Sequence, residues 1–325
     1  MRSSGTLLCL ASAVGFGAMA AFGKLAYDEG ATVGTLLAVR FTLAAALFWL
    51  LTPVREVRAL SRRDIGIALG LGMCGYALQA GCYFAALDRI DASVLGLLVY
   101  TYPAMVAVAA FLIGRERLDA RRLAALALAS GGLVLVLAGS GGGSLDPLGA
   151  ALGLGAAAVY CTYILVSDGI STRIRPQVLA TIVCSGAAVT LTAGSAALGE
   201  LRPGDLTVAG WGWLAGLAVV STVGAISLFF AGLKRVGPTM AAILSTAEPV
   251  VTVVLAFLLF GEALGPMQLI GGLLVLAATP TVRLSGSPDR SAAPTAPRRA
   301  AAGDGARATA LRKRLQWRPR TRPAD

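Results

Sequence analysis

Apolar residues fall into ten long runs separated by short polar connectors. They are Leu7–Tyr27, Val33–Leu51, Ile65–Leu87, Ser93–Ile113, Leu123–Ala138, Leu148–Ser167, Val178–Leu198, Val208–Leu233, Thr239–Phe260 and Pro266–Val282. Most approach the ~20 residues a helix needs to cross about 30 Å of hydrocarbon; the fifth and the tenth are shorter. The pattern predicts an all-α integral membrane protein of about ten transmembrane helices. Met1-Arg2, the first run and Ala18-Met19-Ala20 together have the outline of a cleavable signal peptide. The run continues past Ala20 to Tyr27, however, and its loss would delete the first member of a repeat. It is read as a permanent helix.

The repeat is visible along the chain. Residues 83–118, YFAALDRIDASVLGLLVYTYPAMVAVAAFLIGRERL, align without a gap on residues 229–264, FFAGLKRVGPTMAAILSTAEPVVTVVLAFLLFGEAL. Phe84 meets Phe230, Arg89 meets Arg235, Pro103 meets Pro249 and Glu116 meets Glu262, each at a separation of 146 (249 minus 103). The chain therefore reads as a duplication: a five-helix repeat over 1–142, a second over 143–284, and a tail over 285–325. Five crossings are an odd number, so the second copy enters the membrane from the opposite side and the repeats are inverted. Gly15-Phe16-Gly17-Ala18-Met19-Ala20 and Gly153-Leu154-Gly155-Ala156-Ala157-Ala158 are matching positions of the two copies. Both fit a loose dinucleotide-binding fingerprint, but neither follows a strand. Small residues at that spacing let membrane helices approach closely.

Polar groups inside the runs are few, and an ionisable one is costly there. Glu248 lies about 13 Å into the run that begins at Thr239, next to Ser245 and Thr246. A charge near the bilayer centre costs roughly 2.5 to 3.5 kcal/mol on insertion scales, so such residues face a cavity or a partner and mark function. The first copy holds Tyr102 at the matching position. Arg40 lies about 10 Å below the nearer end of its helix, deeper than an idle arginine, and is expected to face the cavity. There it would pair with Glu248 or attract an anionic substrate group. Lys24, about 26 Å along its helix, is close enough to the interface to snorkel. Tyr76, Tyr100, Tyr102 and Tyr160 fall in the middle of their runs, where a hydroxyl requires a partner and a ring can stack on a ligand. Tyr100 and Tyr102 are two apart, so at most one should line a cavity, with Tyr102 preferred. Pro103 and Pro249 are expected to kink their helices and free carbonyls.

Composition agrees with a membrane protein: 56% of residues are hydrophobic and 14% charged, against about 25% charged in soluble domains. The net charge of +11 is concentrated in the tail, where ten Lys or Arg and three Asp leave +7. No groove-reading module accompanies it, so a nucleic-acid partner is not expected. The tail cannot bury enough apolar surface to fold alone, and Leu311 to Arg320 can lie on anionic lipid. Five cysteines without CxxC spacing and the absence of histidine give no metal framework, cofactor site or Ser-His-Asp arrangement. No catalytic cluster stands out, so an enzyme is not expected.

With the N-terminus inside, the inner connectors hold thirteen Lys or Arg, from Arg2 through Arg55, Arg115 and Arg173 to Lys234 and Arg235. The outer ones hold two, Arg89 and Arg202. This asymmetry predicts a multi-pass protein with both termini in the cytoplasm.

Several of these residues together resemble a known group. Lys24 late in the first run, Arg40-Phe41 in the second, Ala85-Ala86-Leu87 closing the third, Pro103 followed by Glu116, and Glu248-Pro249 followed by Gly261-Glu262 resemble the EamA-type drug/metabolite transporter superfamily. The resemblance covers Leu7 to Val282. It implies a ten-helix bundle of two inverted five-helix repeats, a bacterial inner-membrane location and movement of a small metabolite through a central cavity, often as export. The resulting expectation is a secondary transporter working by alternating access, an exporter coupled to protons through Glu248. Uptake or exchange, and a non-transport assembly role, are the alternatives. The substrate, the coupling ion and the oligomeric state stay open.

Overall fold

The computed structural model describes residues 2–114, 120–139, 146–171, 173–237, 240–241 and 244–285. Glu116, Thr239 and the basic tail, with its Leu311–Arg320 segment, lie outside these. Among the described residues every regular element is helical. The spans are α1 (Ser4–Asp28), α2 (Val33–Leu51), α3 (Arg62–Leu87), α4 (Ala92–Leu112), α5 (Ala120–Gly139), α6 (Pro147–Ser171), α7 (Pro176–Ala197), α8 (Val208–Val236), α9 (Ala247–Phe260) and α10 (Pro266–Ser285). Seven are long and apolar enough to cross a membrane, by length and composition; the apolar stretches of α5, α9 and α10 are shorter.

Local chemistry sets where these helices begin. Thr32, Ser61 and Thr207 cap α2, α3 and α8, each hydroxyl accepting from the backbone N–H three residues on at 3.0 to 3.1 Å. Proline occupies the first position of α6, α7 and α10 (Pro147, Pro176 and Pro266), where its missing N–H costs nothing.

The packing repeats the duplication. Mates in the two copies lie against each other: α2 against α7, α4 against α9, α5 against α10. The contact of α1 in the first copy with α8 in the second is mirrored by that of α6 in the second with α3 in the first. The mates α3 and α8 each contain one π-helical turn, Leu71–Tyr76 and Val219–Gly224. The core between them is dominated by Phe41, Phe48, Phe84, Leu36, Leu87, Leu95, Leu214 and Leu217, all shielded from the surface.

Between membrane helices there is little hydrophobic drive, so close approach of small residues supplies the contact. The α5–α10 crossing depends on it. A Cβ added to Gly132 would sit 2.5 Å from the Gly271 carbonyl oxygen, and one on Gly271 would sit 2.6 Å from that of Gly132. Both obstacles are backbone and cannot swing aside. The neighbouring Gly131 has nothing within 4 Å of a Cβ. Gly132→Ala should therefore lower stability by about 1–3 kcal/mol through overpacking, while Gly131→Ala should leave it unchanged or slightly raised. Thermal melting of the two variants in one detergent checks the contrast.

Candidate functional site

Two proline-broken helices meet at the centre of the bundle. Proline has no N–H for the carbonyl four residues back, and its ring collides with that carbonyl. For Pro103 that carbonyl belongs to Val99, and α4 accordingly closes its first segment at Val99 and restarts at Tyr102 after a turn. For Pro249 it belongs to Ser245, and α9 begins only after a turn at Ser245–Thr246. The expected kinks are thus full breaks. Glu248 stands in the first turn of α9, not 13 Å along a continuous helix, and its charge complements the positive end of the half-helix dipole. The Ser245 carbonyl, which Pro249 cannot serve, accepts instead from the Glu248 N–H at 3.1 Å and from the Tyr100 hydroxyl at 2.9 Å, and the same hydroxyl reaches a Glu248 carboxylate oxygen at 2.9 Å. One break therefore orients the acid, and the other supplies the tyrosine that holds it.

A cavity of about 540 Å³ opens beside this junction. Its wall takes Phe16 and Met19 from α1, Arg40 from α2, Tyr76, Tyr83 and Phe84 from α3, Tyr100 and Tyr102 from α4, Tyr160 and Tyr163 from α6, Leu179 and Cys184 from α7, and Phe229 and Phe230 from α8, besides Ser245 and Glu248. Six of the seven tyrosines in the chain are there. Five of them form a continuous arc: Tyr100 to Tyr102 (5.9 Å between ring centres), Tyr102 to Tyr160 (4.6 Å), Tyr160 to Tyr163 (6.3 Å, stacked) and Tyr163 to Tyr76 (6.0 Å). Tyr76 then meets Phe41 edge-on at 5.1 Å. Glu248 marks one end of the arc and Arg40 the other.

Arg40 is 2% exposed. Its Nε donates to the Thr222 hydroxyl at 3.0 Å, and its guanidinium lies 5.0 and 5.2 Å from the rings of Phe41 and Phe84. Thr222 belongs to the π-helical turn of α8 and donates in turn to the Leu217 carbonyl, five residues back, at 3.1 Å. Arg40 and Glu248 thus share the cavity, but Arg40 is bonded to Thr222 and Glu248 to Tyr100.

Of the residues singled out in the sequence, Glu248, Arg40, Tyr76, Tyr100, Tyr102 and Tyr160 come together on this wall. Tyr100 and Tyr102 both line it, contrary to the helical spacing, because the turn between Val99 and Tyr102 breaks that periodicity. Thr246 occupies the N-cap position of α9, and it is Ser245 beside it that reaches the cavity. Pro103 and Pro249 shape the breaks from behind the wall. Tyr83, Tyr163 and Thr222 were not anticipated. Lone aromatic and hydroxyl positions in apolar runs carry no signal until the helices are placed.

Lys24 lies elsewhere. It pairs with Glu262 at 2.5 Å, with Asp91 at 3.9 Å and the Phe260 ring 5.5 Å away. It is bonded into the bundle and does not snorkel. Glu262, brought round by the left-handed Gly261 (φ 68°) that ends α9, also accepts from Ala92 N (3.2 Å), Ser93 N (3.0 Å) and the Ser93 hydroxyl (2.8 Å). It acts as a cap for α4 supplied by another helix. The cluster joins α1, α4 and α9 at one end of the bundle. The cavity reaches the other way, to Pro176, Leu179 and Val183 where α7 begins and to Leu233 near the end of α8.

Burial alone would raise the Glu262 carboxyl, but Lys24 and the Ser93 amide and hydroxyl outweigh it and hold the group below its ordinary value of 4.5. A carboxylate so lowered stabilises the fold at pH values above that ordinary value, and the contribution is lost as pH falls through the lowered one. Acidification below 4.5 should therefore produce a drop in melting temperature that Glu262→Gln lacks. At neutral pH Glu262→Ala should cost about 2–3 kcal/mol, since charged donors and two amides lose their acceptor. Melting curves of both variants across pH check this.

Two five-helix repeats around an open, charge-bearing cavity describe a polytopic membrane protein. Comparison with known proteins fixes the kind. The chain belongs to the EamA-like transporter family, which matches residues 3–138 and again 147–282. It is 30% identical over 280 residues to YcbK, an uncharacterized transporter of Bacillus subtilis, covering 83% of this chain and 89% of that one. An uncharacterized transporter of Archaeoglobus fulgidus is 31% identical over 219 residues, 66% of this chain and 77% of its own. A solved crystal structure 20% identical to this chain superposes with a TM-score of 0.60 over 88% of this chain and 98% of its own, a likeness of fold.

Proposed function

We propose that the protein is a secondary transporter that exports a small metabolite or drug-like compound by alternating access, coupled to protons through Glu248. The observation that carries this reading is the cavity between the repeats, walled by Arg40 and Glu248, with the Lys24–Glu262 cluster bridging α1, α4 and α9 at one end of the bundle. Inverted repeats with a central site at broken helices are a recurring plan for moving substrates by rocking one half against the other.

The distribution of charge supports an orientation for this cavity. Thirteen Lys or Arg in alternate connectors against two in the others argue for cytoplasmic termini in a bacterial inner membrane. On that assignment the cavity of the present state faces the cytoplasm, and the Lys24–Glu262 cluster closes the outer side. A substrate would load from inside, as export requires. The basic tail would rest on the anionic inner leaflet.

Glu248 is suited to coupling because it sits at a helix start within the cavity, where it can exchange a proton or a ligand when the site changes sides. In proteoliposomes, Glu248→Gln should remove the dependence of flux on the pH gradient while leaving the melting temperature close to that of the wild type. Gradient-driven flux that survives the substitution rejects the coupling role. Flux that exists but runs only inward rejects export.

A further inference from the structure

The chemistry of the wall narrows what the cavity takes. Building on the transporter reading of this cavity, we propose that it selects organic cations with an aromatic or apolar body, the cationic nitrogen lying against the Glu248 carboxylate and the body across the rings of Tyr102 and Tyr160.

The two charges of the cavity are not equivalent. Arg40 is packed into the protein: its Nε is bonded to Thr222, the rings of Phe41 and Phe84 lie about 5 Å from its guanidinium, and 2% of it is exposed. A ligand carboxylate would have to enter that packed setting. Glu248 is only partly buried and is held in orientation by the Tyr100 hydroxyl, itself anchored on the Ser245 carbonyl. It presents an aimed negative charge at the end of the tyrosine arc.

The rings beside it favour the same sign. An aromatic face carries the negative side of its quadrupole and attracts cations, more strongly where water is excluded. Tyr102 and Tyr160 meet at 64° with centres 4.6 Å apart, and Tyr160 stacks on Tyr163 at 18°. This forms a cornered wall a ligand ring or alkyl body can lie against. An anion placed there would meet ring faces and a carboxylate of its own sign. The volume of about 540 Å³ lies within the range of about 300–1,000 Å³ usual for drug-sized ligands.

Three probes on one ring system test this with the purified full chain in nanodiscs: (naphthylmethyl)trimethylammonium, the zwitterion naphthylalanine and the anion naphthylacetate, with their one-ring counterparts beside them. Titration calorimetry should show the quaternary ammonium compounds binding more tightly than either partner of the same size. Glu248→Gln should weaken them about tenfold or more, Glu248→Asp should restore part of that, and Tyr160→Ala should weaken them while Tyr160→Phe does not. Should Glu248→Gln fail to fold, Glu248→Asp and Tyr160→Ala carry the comparison. Binding of the zwitterion or the anion at equal or higher affinity overturns the inference, as does no binding of either ammonium compound up to the millimolar range. Flux assays separate the two readings. Transport of naphthylalanine or naphthylacetate without cation binding keeps the transporter and rejects the cation site. Cation binding lost in Glu248→Gln, with no flux of any probe, keeps the site and rejects the transporter.

Discussion

A helix broken at membrane depth leaves backbone groups that must find partners within the protein or along a cavity, and the centre of this protein is arranged around that constraint. Pro249 deprives the Ser245 carbonyl of its helical donor; the Glu248 N–H takes that place across the turn, and Tyr100, itself carried at the break that Pro103 imposes on α4, adds a second donor. Because the same hydroxyl also reaches Glu248, a structural repair and the orientation of the central carboxylate are one interaction. The π-helical turn of α8 solves a related problem, presenting the Thr222 hydroxyl to a buried guanidinium while returning its own proton to the Leu217 carbonyl.

Duplication supplies the scaffold, and departures from it supply the chemistry. The positions of Tyr102 and Glu248 match in the two copies, yet one offers a ring and the other a charge. Lys24 has no basic mate: at the register that pairs Gly15 with Gly153, its counterpart is Thr162 (24 plus 138). The ionic cluster that Lys24 builds with Glu262 at one end of the bundle therefore has no equally charged counterpart encoded at the other. On the alternating-access proposal, two halves alike in build would rock against each other, and unlike ends would give the two states different stabilities.

Much of this was legible in the chain. The ten runs, the register of 146 and the unusual placement of Glu248 and Arg40 come from hydropathy and identity alone, because burying charge in lipid is expensive enough to leave a mark. What failed was finer. Helical spacing put Tyr100 and Tyr102 on different sides, but spacing holds only within a continuous helix, and the break lies between them. The place of Lys24 near the end of its helix is silent on Glu262, whose arrival depends on the left-handed turn at Gly261 and on the packing of α9 against α4. Tyr83, Tyr163 and Thr222 became site residues only when eight helices converged.

The central claim is that the bundle alternates its opening, and that the Lys24–Glu262 cluster must part for transport to occur. The most direct measurement is flux through a Lys24→Cys, Glu262→Cys variant on a background without the five native cysteines, joined by a cleavable bifunctional thiol reagent. The account predicts that flux is lost while the two positions are tethered and returns when the tether is cut. Undiminished flux through the tethered protein would contradict it.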